Sequence, residues 1–164
     1  MLVDRVAPGV WAGTRLVDSG PYQRRTDLSR LLGRERTETV AGVAIHRDGV
    51  SVVAVAGHIG PYAVVRSTAT SSHGPLVNQP TLILGDSFTE VSMPQLQPLF
   101  ADLTYVPSGA MKVDLAAVAR LVRASPVVVV ELVERSVQPA AYPLLSPAVL
   151  DALERDLAAA GPAR

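Results

Sequence analysis

The residues best placed to do chemistry are Gly85-Asp86-Ser87, which follow the short apolar run Thr81-Leu-Ile-Leu84. A buried strand of this kind ends in a tight turn that lifts a serine hydroxyl out of the sheet, and the helix that follows starts with free backbone N–H groups. Ser87 therefore stands where an acyl-transfer nucleophile would stand. Asp86 would orient the turn or stabilise the helix start. The plainer reading is that Gly-Asp-Ser is common at turns and N-caps, where the serine only accepts a backbone hydrogen bond. A serine hydroxyl also needs a base before it can attack anything.

The chain has three histidines, His46, His58 and His73, and all precede Ser87. A Ser…Asp…His order along the chain is thereby excluded. His46 and His58 fall in or beside β-patterned sequence, where a structural histidine is the commoner case. His73, in the loop Ser71-Ser-His-Gly-Pro75, is the one to keep as a partner for Ser87. Their scatter does not suit a metal site, and Gly85-Asp-Ser-Phe88 lacks the glycines and lysine of a phosphate loop, so no metal or cofactor is expected. Glu131, Glu134 and Arg135 leave the run Val127–Val130 and read either as a solvated cluster or as a substrate group, with Arg135 binding an anion or holding Glu134. A glycosidase carboxylate pair is conceivable there, but nothing fixes its separation.

The elements that would position these residues follow from pattern. Asp27-Leu-Ser-Arg-Leu-Leu-Gly33 suggests a turn or two of helix ending at Gly33, and Arg15–Asp18 a brief strand. From 39 to 70 the period is two. Asp48-Gly49 between β-branched runs predicts a hairpin, and a third run from Tyr62 after Gly60-Pro61 predicts an antiparallel meander. Beyond Pro80 the pattern is strand, helix, strand: a strand at 81–84, a helix over Met93–Ala101, a strand at Leu103–Val106 and a helix over Val113–Ala124. Val127–Val130, apolar on both faces, predicts an interior parallel strand. A last helix starts at Ser146-Pro147. Parallel sheets bind ligands outside the carboxyl ends of their strands, so Asp86-Ser87 and the residues after Val130 are expected to share a cleft.

With 164 residues and 48% hydrophobic content, the chain suits one globular domain. Fifteen basic residues balance fifteen acidic ones, which argues against nucleic acid as a partner. Without cysteine there are no disulfides or thiolate sites. No run reaches the roughly 18 apolar residues of a membrane helix, and Met1–Arg5 lacks a signal-peptide layout.

Leu84-Gly-Asp-Ser-Phe88, Met93-Pro-Gln-Leu-Gln-Pro-Leu-Phe100 leading to Tyr105-Val106, and Val127-Val-Val-Val-Glu-Leu-Val-Glu-Arg135 resemble the SGNH-hydrolase-like domain of alginate O-acetyltransferases and related polysaccharide O-acetylation proteins. Gly20-Pro21 through Gly33 resembles the segment between that family's two catalytic blocks. The resemblance implies an α/β fold with a partial SGNH or flavodoxin-like parallel sheet flanked by helices and an antiparallel β-hairpin or meander addition. It also implies a single domain over 1–164: an irregular lead-in to residue 38, the meander, and a strand-helix-strand core over 80–160. By the same likeness, Ser87 carries the acetyl ester, its N–H helps hold the oxyanion, and Gly109 is a weak second donor. The partners implied are a polysaccharide acceptor and an acetyl donor delivered through a membrane O-acyltransferase, in an extracytoplasmic, periplasmic or cell-surface setting. The family's base lies in an Asp-x-His-Trp block upstream of the serine. Here Ala44, Ala56 and Ser71 stand two before the histidines, so no such block exists. The expectation is an N-terminally incomplete or remnant domain, inactive alone, with Trp11, Leu16 and Val17 in an exposed apolar patch prone to self-association.

Overall fold

The computed structural model describes residues 8–25, 33, 37–74, 76–132 and 142–159. It is a mixed α/β structure containing a two-stranded ribbon and a five-stranded mixed sheet. The ribbon joins β1 (Thr14–Arg25) antiparallel to β2 (Thr37–Arg47), with an irregularity between Asp18 and Gly20. The larger sheet contains β3 (Val50–Ile59), β4 (Tyr62–Ser71), β5 (Thr81–Gly85), β6 (Asp102–Pro107) and β7 (Val127–Val130), in the order β3-β4-β6-β5-β7. Strands β5, β6 and β7 are parallel, whereas β3 and β4 are antiparallel additions beside β6.

Helix α1 (Ser87–Leu96) connects β5 to β6, α2 (Leu115–Ala124) connects β6 to β7, and α3 (Pro147–Ala158) follows. Alternation along β5 decides which side each helix covers. Leu82 and Leu84 join Val106, Ala110, Met111 and Val118 on the α2 side, with Val149 of α3 packed against them. Ile83 points the other way, into Met93 of α1 with Leu103 and Tyr105. All five residues of β5 are buried, which makes it the axis of the core. A third cluster of Val10, Val77 and Leu99, flanked by Trp11 and Phe100, ties the lead-in to the sheet.

Several elements depart from expectation. Asp48-Gly49 makes no hairpin: β2 pairs with β1, and β3 turns at Gly60-Pro61 to pair with β4. The reason is where the turn's polar groups go. Asp48 accepts from Arg15 of the ribbon, while the Gly49 carbonyl accepts from Ser72 N at the end of β4, so the dipeptide joins two sheets. Gly49 still uses positive φ, +69°. The brief strand at Arg15–Asp18 is part of a twelve-residue strand. Helix α1 begins at Ser87, six residues earlier than expected, because the Asp86 carboxylate caps it by accepting from Phe88 N, and it tolerates Pro94 inside. Helix α2 starts at Leu115, where Asp114 accepts from Ala117 N.

Strand β7 is not interior. Among the described residues it pairs only with β5, and Val128, Val129 and Val130 are 39%, 40% and 47% exposed. Of the expected apolar patch, Leu16 is 74% exposed, Val17 is half-buried and Trp11 packs against the Val10 cluster. The expected helix at 27–33 lies outside the described residues. None of the described helices is long and apolar enough to cross a membrane.

Two substitutions separate the forces in this core. Leu84→Ala, at a site 1% exposed, should lower unfolding free energy by about 2–5 kcal/mol. Ser67 is 1% exposed and its hydroxyl has no protein partner among the described residues, so Ser67→Ala should be neutral or stabilising. Urea unfolding of both variants checks the contrast.

Candidate functional site

The three parallel strands stand in the order second, first, third, with β5 in the middle. Connections from β5 to β6 and from β6 to β7 therefore run in opposite directions across the sheet, and a crevice opens at the carboxyl ends of β5 and β7. Residues leaving those two strands meet there. The Glu131 carboxylate, just past β7, accepts a hydrogen bond from Thr89 Oγ1 of α1, and Asp86 N lies 3.5 Å from Glu131 Oε2. Glu131 N donates to the Leu84 carbonyl at 3.0 Å, carrying the ladder one residue beyond the strand.

A glycine is required at position 85. A β-carbon there would collide with Thr89 Oγ1 and stand 2.7 Å from Thr89 Cβ. Without it, the first turn of α1 folds back onto the strand end and Thr89, 4% exposed, reaches Glu131. Ser87, in that same turn, is exposed to solvent. Glu131 and the Asp86 carboxylate both lie at the positive end of α1, where negative charge is favoured.

Two buried tyrosines brace the turn. Tyr105 of β6 donates to the Asp86 carbonyl at 2.8 Å, and Tyr142 donates to the carbonyls of Glu131 (3.0 Å) and Leu84 (3.3 Å). Burial, reinforced by the nearby carboxylates of Glu90, Asp86 and Glu131, raises the Tyr105 pKa well above its ordinary value. Burial pushes Tyr142 up to about 12, partly offset by a hydrogen bond with Ser108.

The structure brings some of the expected residues together and separates others. Asp86, Ser87 and Glu131 share the crevice. Glu134 and Arg135 lie outside the described residues. Gly109, in the 3-10 turn 108–112, faces the antiparallel side: a β-carbon there would stand 2.5 Å from the Tyr62 hydroxyl oxygen, so this glycine makes room for Tyr62.

His73 is not a partner of Ser87. It follows β4, which has already passed the amino end of β6 at the pair Thr68↔Asp102, whereas Ser87 lies beyond the carboxyl end at Gly85↔Pro107. The length of β6, roughly 17 Å, separates those two ends. His73 Nδ1 instead pairs with Ser72 Oγ at 2.8 Å. His46 Nε2 lies 3.2 Å from Asp48 Oδ1, and His58 belongs to edge strand β3, three strands from β5. No histidine of the chain therefore stands at Ser87. Among the described residues no group of three or more His, Cys, Asp or Glu could hold a metal ion.

Thr89, Tyr105 and Tyr142 are the site residues that motif reading misses. Thr89 had a local signal, because Gly85 and Thr89 are four apart at a strand-to-helix turn. Tyr142 had none, since it arrives from another part of the chain.

Gly85→Ala should cost about 1–3 kcal/mol by overpacking against Thr89, read from the urea midpoint. The tyrosines make stability sensitive to alkali. Tyr142 keeps its proton in the native state up to about 12 against an ordinary 10.0, so the native state binds the proton more tightly in that window. Its contribution is full below pH 10 and is lost as pH rises towards 12. Thermal midpoints should fall across that window, and Tyr142→Phe should start lower but fall less steeply. No family model, curated protein or solved structure matches the chain.

Proposed function

We propose that this chain is an SGNH-type O-acetyltransferase or acetylesterase-like domain that acts on carbohydrate hydroxyls through an acetyl ester on Ser87. The observation that carries this reading is the placement of Ser87: exposed, in the first turn of α1, directly after the central strand of a second-first-third parallel arrangement. That arrangement is the one at the centre of flavodoxin-like sheets, and the crevice beside it is where such sheets bind ligands. The Leu84–Phe88, Met93–Phe100 and Val127–Arg135 segments supply the likeness to the polysaccharide O-acetylation family.

In the first half-reaction the Ser87 oxygen attacks the acetyl carbonyl carbon and its proton passes to a base. The donor's oxygen leaves with a proton, and the acetyl group remains on Ser87. In the second half, a sugar hydroxyl attacks the serine ester, takes the acetyl group and returns a proton to Ser87. On this reading the backbone N–H of Ser87 helps hold the developing oxyanion. Asp86, Glu90 and Glu131 make the crevice acidic, which suits a neutral acetyl ester and sugar hydroxyls better than an anionic substrate.

No histidine of this chain stands at the serine, so this reading takes its imidazole base from outside the chain. On this reading an Asp-x-His-Trp block supplied by other sequence completes the site, in an extracytoplasmic setting, with acetyl groups delivered through a membrane O-acyltransferase. One observation favours a second reading, a non-catalytic domain that binds a partner or ligand at the same crevice: Ser87 lacks an imidazole while Glu131 already lies at the α1 N-terminus.

Incubation with an activated aryl acetate and added imidazole tests the choice. The covalent reading expects an acetyl group on the peptide containing Ser87, detected by mass spectrometry and absent in Ser87→Ala. Equal labelling of wild type and variant, or no acetyl on that peptide, sinks it and leaves the non-catalytic reading.

A further inference from the structure

We propose that edge strand β3 is the docking edge for a second copy of this chain, paired antiparallel across a two-fold axis. Among the described residues β3 bonds only to β4, with an unbroken register from Val50↔Ser71 to Ile59↔Tyr62. Hydrogen bonds alternate along an antiparallel strand, so every second residue of β3 turns its N–H and C=O outward. Such a row of paired donors and acceptors is matched by another extended strand.

Natural edges are protected by charge, proline, bulges or shortness. Other edges carry such devices or are partly covered: β1 has an irregularity at Asp18/Gly20 and a proline at 21, the Val43 carbonyl of β2 accepts from Gln95 of α1, and β7 is only four residues long before Glu131. β3 has ten residues, Val-Ser-Val-Val-Ala-Val-Ala-Gly-His-Ile, with no Asp, Glu, Lys, Arg or Pro and no bulge. Val53 and Val55 are 63% and 65% exposed.

The occupant follows from symmetry. Two copies of one strand, brought antiparallel by an axis normal to the sheet, keep the same side chains on the same face. With the axis at Ala54, Val53 of one copy stands beside Val55 of the other, and Val52 beside Ala56. The register puts Val53, Val55, Gly57 and Ile59 on the face shared with Val64. That face continues into an open groove of about 300 Å³ lined by Gly57, His58, Ile59, Val64, Ala117, Arg120 and Leu121. With zero formal net charge, two copies meet without long-range repulsion.

Area sets the strength. Stable interfaces bury about 800 Å² per partner from about 20–30 residues, so the ten strand residues with Ala117, Arg120 and Leu121 supply roughly 400 Å² per copy. That is half a standard interface, which makes the dimer weak and reversible.

Sedimentation equilibrium of the full chain from about 5 µM to about 500 µM reads this directly, since that range spans weak association. The average mass should rise from the monomer value of 17.3 kDa towards twice that value. Val55→Lys and Val53→Lys, both at exposed positions, should hold the mass at monomer with thermal midpoints close to wild type. Val91→Lys, 61% exposed on α1, should associate like wild type. A wild-type chain that stays monomeric throughout overturns the proposal, and that outcome would leave the edge to an extended peptide from another protein. Association that survives both lysine variants overturns it in favour of another surface.

Discussion

The crevice depends on the missing β-carbon at Gly85. Because nothing projects from that position, α1 turns back against the end of β5 and Thr89 occupies the space a side chain would take. From there its hydroxyl reaches Glu131, so the exits of two parallel strands and the start of one helix are joined through three side-chain positions. Tyr105 and Tyr142 then donate to the carbonyls of Asp86, Leu84 and Glu131 at the sheet's rim, two of which also accept backbone N–H groups. Each buried polar group at the rim is answered by another, and this arrangement holds the first turn of α1 in place.

Around that point the sheet divides its labour by parity. Even-numbered residues of β5 face α2 and α3, odd-numbered ones face α1, and two separate apolar clusters result. The antiparallel strands β3 and β4 widen the sheet on the side away from the crevice. They carry no side chain into it, so their substitutions act through stability and association more than through chemistry. The same division explains the fate of the histidines, which all lie before β5 and are carried off to the ribbon, the outer edge and the amino end of the sheet.

Much of the core was legible from local pattern. Thr81–Leu84, Leu103–Val106 and the start of α3 at Ser146-Pro147 are found where the run lengths and caps put them. Pairing was less legible. Asp48-Gly49 has the residues of a tight hairpin, but the partners of its polar groups lie in two sheets, which no window of sequence reveals. Val127–Val130 is as apolar as an interior strand and yet sits at the rim, because an apolar run reports hydrophobicity and not the number of neighbours. At the site, Ser87, Asp86 and the approach of Glu131 could be anticipated from strand exits. Tyr142 could not, as it comes from 55 residues beyond Ser87 with no motif around it.

The ribbon of β1 and β2 is fastened to the body over the half that ends at Arg47, where Gln95 of α1 also donates to the Val43 carbonyl. Arg47, 3% exposed, donates to the Pro98 carbonyl, and Val10 and Trp11 pack beside Leu99, whereas Pro21–Gln23 and Thr37–Thr39 touch little beyond each other. A lever anchored at its root opens from its free end. Its amide exchange should thus grade from fast at Gln23 and Thr39 to slow near Arg47, by fraying from the free end while the parallel strands stay closed.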